Sequence, residues 1–395
     1  MGFLSGSATF DRYRISNDPT GVFGKEHLDL LKKGQIKSAG RNLYEKPCVG
    51  FLGGAHLFDT EFDFEKNIIG EAMHFAIRID SGQIPGPIKR AWTHMELSGI
   101  MKDNPGGKPS KAQREEAKEA VEARCEAESK KGNFKKMTVV PVLWDSFTQT
   151  IYLGTTSEKT ADSCLGLLND AFGFEFSKVT SGKLALEIAE TMDATEAVYD
   201  TAPSTFHPET NGNVVWWNAM KDNYDFLGNE FLLWLWWKWE VAGDVIALSD
   251  GSEVAGMFAR SLSLDCPIGE NGKESISSDS PVTLPEALLA IQMGKLPRKA
   301  GLTLVRNNEQ FDFALQAETF SIGSARIRQV GNETEVLDNI DRIESVRQLS
   351  ETFDLLYGEF CQARFVEDWS AEVADLKQWL GSEGKSVKSR NRKAA

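Results

Sequence analysis

The feature that most constrains the fold is a tryptophan-dense run at residues 226–239, FLGNEFLLWLWWKW. Wound as a helix, this run is apolar on nearly every side, which is typical of a helix buried within protein. It is too short to cross a bilayer, since a spanning helix needs about 20 apolar residues. Stacking on unpaired bases and lying in a membrane interface are the alternatives. We predict a core or subunit-interface helix, so the rest of the chain must build layers around it.

The length and patterning of the chain indicate how those layers are organised. At 395 residues and 41% hydrophobic composition, a single compact core is not expected. Residues 72–79, AMHFAIRI, alternate with the period of a strand, and other segments repeat at helical spacing. We therefore predict an α+β fold with antiparallel sheets and packed helices. The predicted segments are an N-terminal α+β module (1–85), a helix-and-hairpin module with a basic helix (86–180), a tryptophan-rich insertion and linker (181–283), a C-terminal α+β module (284–380) and a basic disordered tail (381–395).

The cysteines and the N-terminus indicate the compartment. Five cysteines lie far apart with no CxxC pair, which favours reduced thiols over a disulfide framework or a zinc site. The first residues lack the basic start and apolar core of a secretory signal. We expect a cytoplasmic protein that does not associate with a membrane.

One predicted helix is rich in bases. Ser110 followed by Gln113 has the pattern of a capping box, which predicts a helix from there to Lys131. Ala, Glu, Lys and Arg dominate this helix, so it must be solvated or face a polar partner. Cations on one helix face can follow a phosphate backbone, but alternating charges are equally typical of a merely soluble surface. The bases of the region are Lys102, Lys108, Lys111, Arg114, Lys118, Arg124, Lys130, Lys131, Lys135 and Lys136.

Two subsets of these bases favour phosphate contact. Lys111, Arg114 and Lys118 follow i, i+3, i+7 spacing and so share one helix face. The other subset consists of Lys130, Lys131, Lys135 and Lys136, with no acid among them. The C-terminal stretch KSVKSRNRK is a further basic segment, of a kind that often binds nucleic acid loosely.

The net charge argues in the opposite direction. A formal charge of −14 would repel phosphates if it were spread evenly over the surface. Binding to nucleic acid therefore requires that the bases be concentrated in one place while the acids lie elsewhere.

The sequence gives little support for an enzyme. No HExxH, P-loop or GxSxG motif occurs, and the histidines are isolated. The acidic pairs Asp59/Glu61 and Asp63/Glu65 could hold a divalent metal for nuclease chemistry, although 58 acids make such pairs common by chance. We expect no catalytic residue, cofactor or metal. A metal-dependent nuclease, and an interaction factor that acts through the tryptophan run without touching DNA, remain the alternatives.

A series of motifs, in one collinear order, resembles the family of the recombination-associated protein RdgC. Each motif is degenerate alone, and the order gives the specificity. The region around residues 200–265 has no clear counterpart in shorter members and is typical of a larger branch. The motifs are FLSGSATFDRYRI, FGKEHLDLLKK, QIPGPIKRAW, PSKAQREEAKEAV, NFKKMTVVPVLWD, IYLGTTSEKTADSCLGLLNDAFG, LPEALLAIQMGKLPRKAGLTL, FDFAL and FDLLYGEF.

The resemblance implies a function as well as a fold. It implies an elongated α+β subunit that forms a ring-shaped homodimer around duplex DNA, binds it largely without reading its sequence, and limits RecA-type recombination at the nucleoid. It also implies that Phe134 lies in the dimer interface and that Lys136 and Lys295 match basic family positions. The stretch SSDSPVT departs from the family, because it lacks a lysine–glutamine pair thought to face DNA. Arg298 and Lys299 are the candidates to compensate.

Overall fold

The computed structural model describes most of the chain. The described residues are 2–16, 22–37, 43–44, 46–102, 108–207, 214–216, 223–269, 272–329 and 338–381. The predicted basic tail from residue 382 onward therefore lies outside them. The chain divides into two compact units. Unit 1 comprises Ile15–Leu153 and Ser157–Phe176, and unit 2 comprises Gly2–Arg14, Gly154–Thr156 and Ser177–Ala395.

Unit 1 is built on an antiparallel sheet. Its order is β6-β5-β4-β2, with the short β3 also paired to β4. The longest pairing runs from Ala72 opposite Asp145 to Gly82 opposite Lys135. The elements are α1 (Lys25–Lys33), β2 (Cys48–Leu52), α2 (Phe64–Asn67), β3 (Ile68–Ile69), β4 (Ala72–Gly82), α3 (Gly86–Lys102), α4 (Lys111–Lys130), β5 (Lys135–Asp145), β6 (Thr150–Leu153) and α5 (Glu158–Phe172).

Unit 2 contains a second antiparallel sheet, in the order β10-β9-β11-β12-β13-β1, with β8 also on β9. Its strands are β1 (Ala8–Ser16), β8 (Val245–Ala247), β9 (Glu253–Asp265), β10 (Lys273–Ser278), β11 (Leu296–Arg306), β12 (Glu309–Gln316) and β13 (Ile322–Gln329), and β7 (Glu175–Lys178) lies where unit 1 ends. Its helices are α6 (Ser181–Thr191), α7 (Thr195–Tyr199), α8 (Leu227–Val241), α9 (Pro285–Gln292), α10 (Asn339–Phe365) and α11 (Trp369–Gly381). The α+β class and the antiparallel pairing are confirmed.

The tryptophan run forms α8 and is buried, as its all-round apolar character predicts. All of its residues from Leu227 to Trp237, and Trp239, have buried side chains. The ring of Phe231 contacts those of Tyr357 and Phe360 on α10. A buried helix cannot offer its tryptophans to a partner, which removes the surface that the interaction-factor alternative required.

Within the predicted insertion, residues 265–283 are rich in Gly, Ser and Asp, which predicts a polar linker, and this prediction is wrong. Residues Lys273–Ser278 form β10, paired with β9 from Lys273 opposite Asp265 to Ser278 opposite Arg260. The sequence KESISS has one large apolar residue, Ile276, and this edge strand has no fully buried side chain. Other predicted boundaries also fall inside a unit. That at 85/86 lies within unit 1 and that at 283/284 within unit 2, because strands on either side of each boundary pair directly.

Candidate nucleic-acid interface

The basic helix forms with the predicted cap. The Ser110 hydroxyl accepts a bond from the Gln113 N–H at 3.2 Å, and the Gln113 side chain accepts one from the Ser110 N–H at 2.9 Å. Two N–H groups that the first turn would leave unpaired are thereby satisfied. The helix packs against α3 through Val121 and Cys125, in a cluster with Ile84. Its other faces project their charges into solvent.

Several of the predicted DNA-binding bases are neutralised along this helix. Lys118 pairs with Glu115 at 3.3 Å, Lys130 with Glu126 at 2.5 Å and Lys131 with Glu128 at 2.8 Å. The Lys131 and Asn133 side chains bond to the Glu128 carboxylate and lower its pKa. Surface pairs of this kind contribute little to stability, but each removes a net positive charge from the helix surface. The Lys130–Lys136 segment contains no acid in sequence, but folding places Glu126 beside Lys130 and Glu128 beside Lys131.

Two other predicted bases are held by their own unit. The Lys135 ammonium lies 3.0 Å from the Asp80 carboxylate, which is fully buried and also contacts Arg78. The Arg124 guanidinium lies 4.6 Å from the centre of the Trp92 ring, in a cation–π contact. Arg124 is still exposed, so it keeps a donor face toward solvent.

Five of the basic residues named for this region remain available. All are exposed, and none forms an ion pair within the described part of the chain: Lys102, Lys108, Lys111, Arg114 and Lys136. Lys108 precedes α4, and Lys111 and Arg114 lie in its first residues. Lys136 lies on β5, opposite Ser81 of β4.

Lys136 lines a groove of unit 1. The groove has a volume of about 750 Å³ and is more polar than apolar. Its walls come from the end of β4, the start of β5, α4 and the start of α5, and they include Tyr44, Ser81, Gln83, Glu122, Lys136, Thr138, Ser157, Lys159, Thr160 and Ser163. Hydroxyl and amide side chains of this kind can donate to phosphate oxygens without reading a base.

The groove is positive because its acid is already satisfied. Glu122 accepts a bond from the Tyr44 hydroxyl at 2.6 Å and pairs with Lys89 at 2.7 Å. Bonds from Lys89 and Tyr44 lower the pKa of Glu122, and the bonds of Lys89 to Glu122 and to Tyr44 raise the pKa of Lys89. Lys136 and Lys159 are the remaining charged side chains among the lining residues, and both are exposed.

Sequence reasoning missed Lys159. It lies in the first turn of α5, within SEKTADSC, where a lysine carries no pattern that separates it from other surface lysines. Only the packing of α5 beside β4 and β5 brings it to the same groove as Lys136.

The three predicted bases of unit 2 differ in their exposure and in their ion pairs. Lys295 is 5% exposed and its ammonium lies 2.5 Å from Glu274, so the structure does not present it to a ligand. The Arg298 guanidinium forms an ion pair with Glu318 at 2.6 Å and lies 4.4 Å from the centre of the Trp216 ring. Lys299 alone of the three is exposed.

Phe134, the predicted interface residue, packs within its own unit. Its ring lies 6.3 Å from that of Trp92 and joins the cluster around Val121. Its backbone has a left-handed φ of 61°, which tight packing must hold in place for a phenylalanine. The side chain is half-buried, and a role between subunits stays a prediction.

In the acidic pairs considered for a nuclease, Asp59 and Asp63 accept hydrogen bonds from neighbouring residues of the same segment. Asp59 is 7% exposed and receives bonds from the Ala55 N–H, the Glu61 N–H and the Lys66 ammonium. Asp63 accepts a bond from the Glu65 N–H and so caps α2. Within the described residues, no group of three or more His, Cys, Asp or Glu side chains is placed to hold a metal ion.

The Asp59 contacts predict an acid-sensitive loop. Burial favours the protonated carboxyl, but the bonds from Ala55, Lys66 and Glu61 outweigh burial and lower the pKa of Asp59. A lowered folded-state pKa stabilises above the unfolded value, about 4, and this stabilisation is lost as pH falls through the folded pKa. We expect Asp59→Asn to be less stable than wild type at pH 7 and to lose less on acidification to pH 3. Urea unfolding at both pH values measures this, and equal losses in the two proteins would contradict it.

No protein-family model matches the chain, and a comparison with curated proteins finds no match. The resemblance to RdgC therefore rests on the collinear motifs alone. None of the helices within the described residues combines the length and apolar character that crossing a membrane requires.

Proposed function

We propose that this protein binds double-stranded DNA without sequence preference, as a cytoplasmic, nucleoid-associated homodimer that modulates RecA-type recombination. The observation that carries the DNA-binding part is the polar groove of unit 1, in which Lys136 and Lys159 stand beside hydroxyl groups and the one lining acid is neutralised by Lys89. Such a surface offers phosphates charge and hydrogen bonds, which do not depend on base sequence. The dimer and the link to recombination rest on the RdgC resemblance.

The acidic composition is compatible with this proposal. Ion pairs inside unit 1 neutralise acids together with bases. The charge of one surface therefore depends on the residues left exposed there, and it can be positive although the chain totals −14. Lys108, Lys111 and Arg114 add a second exposed basic cluster at the start of α4. Counterions released from the DNA on contact with these bases would supply the binding free energy.

Reversing both groove charges tests the proposal. We expect K136E/K159E to weaken binding to a fluorescent 30-base-pair duplex by about ten- to hundredfold in low salt, and to reduce the slope of log K against log salt by about 2, since each phosphate contact contributes roughly 0.9. Fluorescence anisotropy across a salt series measures both quantities. Two duplexes of unrelated sequence should give equal affinities.

The matched control is K25E/K33E, which makes the same charge change at two exposed lysines of α1 in the same unit. We expect it to shift affinity only slightly. Equal weakening by both variants would show that only the net charge matters, and no binding by wild type at low salt would end the proposal. Solution mass and shape measurements with and without duplex test the dimer, which a monomer in both states would contradict.

A further inference from the structure

The sheet of unit 2 has one face that helices cover and one that they leave open. Phe258, Leu302 and Phe311 project from the covered face and are buried. Residues between them in sequence, such as Met257 on β9 and Lys299 on β11, are exposed. Alternation of this kind is typical of a sheet with one solvated face.

Four exposed cations belong to this open face. Residues directly opposite each other on antiparallel strands point to the same side of the sheet. Lys299 is opposite Ser263 and Gln316, Lys273 is opposite Asp265, and Arg326 is opposite Asp312. Arg260 joins them, because its guanidinium reaches Asp312 at 3.4 Å. The open-face cations are thus Arg260, Lys273, Lys299 and Arg326, all with exposed side chains.

The register places three acids on this face, and the two near the cations are already engaged. Asp312 is 4% exposed and accepts bonds from Thr303 at 2.8 Å and Gln310 at 3.1 Å, besides its contact with Arg260. Asp265 lies 3.6 Å from Arg298. The third, Glu253, is exposed at the start of β9, opposite Ala247.

Arg260 is presented by a local irregularity of β9. The register between β9 and β11 shifts between Ala300 and Leu302, and Arg260 has a left-handed φ of 67°. A Cβ on Gly301 would lie 2.0 Å from the Ala259 carbonyl oxygen, so a glycine is required where the bulge crosses β11. Bulges re-aim side chains, and a left-handed arginine is strained where glycine would not be. Despite this strain, the Arg260 side chain is 53% exposed, and its ion pair to Asp312, the single one it forms with described residues, is 3.4 Å long.

We propose that this open face is a second anion-binding surface, in which Arg260 contacts the phosphate backbone of nucleic acid and Lys299, Lys273 and Arg326 flank it. The proposal rests on the proposed DNA-binding function and adds to it a surface and a residue that the sequence motifs did not indicate. The strain at Arg260 is then retained because binding requires the charge at that point of the sheet.

The small side chains around the cations suit a backbone contact. Ser261, Ser263, Ser275 and Ser277 share the face by register, two on β9 opposite two on β10. The exposed Ser275 hydroxyl can donate to a phosphate oxygen, and the small size of all four side chains lets a broad ligand approach the strands. Contacts of this kind with phosphates do not depend on base sequence.

Replacing Arg260 separates binding from stability. We expect R260G to relieve the left-handed strain and raise Tm by about 2 °C, while duplex affinity falls by about three- to tenfold for one lost phosphate contact. R260K keeps the charge and should retain most of the affinity with no gain in Tm. A purely structural arginine would show the opposite, a lower Tm with affinity unchanged.

Two comparisons keep this inference apart from the DNA-binding proposal itself. If K136E/K159E weakens duplex binding and R260G does not, the open-face proposal is wrong while DNA binding by unit 1 stands. If wild type binds no duplex, elution from heparin decides. Earlier elution of R260G than of wild type, with K25E/K33E as the charge control, would support an anion-binding face, and unchanged elution would overturn it.

Discussion

Replacing Phe231 by alanine is expected to destabilise unit 2 by about 3–5 kcal/mol, the range for removing a buried phenylalanine. The Phe231 side chain is fully buried on α8. Its ring centre lies 5.1 Å from that of Tyr357, 5.7 Å from Phe360 and 6.0 Å from Phe353, all on α10, and 6.3 Å from Phe320. Truncation removes one ring from this edge-to-face cluster and leaves a cavity that rigid neighbours fill poorly.

Urea unfolding followed by tryptophan fluorescence measures the loss, since α8 itself carries four tryptophans. The matched control is Val241→Ala at the end of the same helix, where the side chain is 62% exposed. We expect this variant to change the unfolding free energy by less than about 0.5 kcal/mol. A Phe231→Ala loss no larger than that of the control would show that α8 does not organise the core.

The sequence could predict α8 because its signal does not depend on any neighbour. An apolar surface all round a helix has to be covered, whatever covers it. The Ser110–Gln113 cap is local in the same way, and the helix it starts ends at Lys130, one residue before the predicted Lys131. The strands of the β5–β6 hairpin likewise follow from alternation and a turn.

Strand β10 was not predicted from the sequence, for a physical reason. Strand prediction relies on alternating large apolar residues, but the open side of this sheet is occupied by serines and charges such as Ser275 and Lys273. Edge strands also bury less than central ones, as β10 shows. A polar, serine-rich segment therefore looks like a linker when its partner strand is unknown.

The candidate site shows the same division between local and long-range information. The sequence identifies which residues are basic, but it does not reveal which of them meet a carboxylate. Lys135 and Asp80 lie far apart in the chain and pair because β4 and β5 are neighbours. Lys136, one residue further on, points into the groove instead. Alternation along a strand thus separates a structural lysine from a candidate binding lysine.

A buried ion pair gives the second large expected effect. Arg364 of α10 lies 3.0 Å from the Glu230 carboxylate of α8, with side chains 10% and 2% exposed. Glu230 also accepts a bond from the Ser204 N–H at 2.6 Å, and Arg364 donates to the Ala202 carbonyl at 3.0 Å. The pair therefore fastens α8, α10 and the segment around Ala202 to one another.

We expect Arg364→Ala to destabilise unit 2 by about 3–5 kcal/mol, because it leaves the Glu230 carboxylate buried without its cation. Removing both charges in E230Q/R364M should cost clearly less than the sum of the single variants, since no unpaired charge remains. Urea unfolding of wild type, both single variants and the double variant gives the coupling free energy. Additive losses would show that the two side chains contribute independently, and that packing of Arg364 on Trp369, at 5.0 Å, accounts for its share.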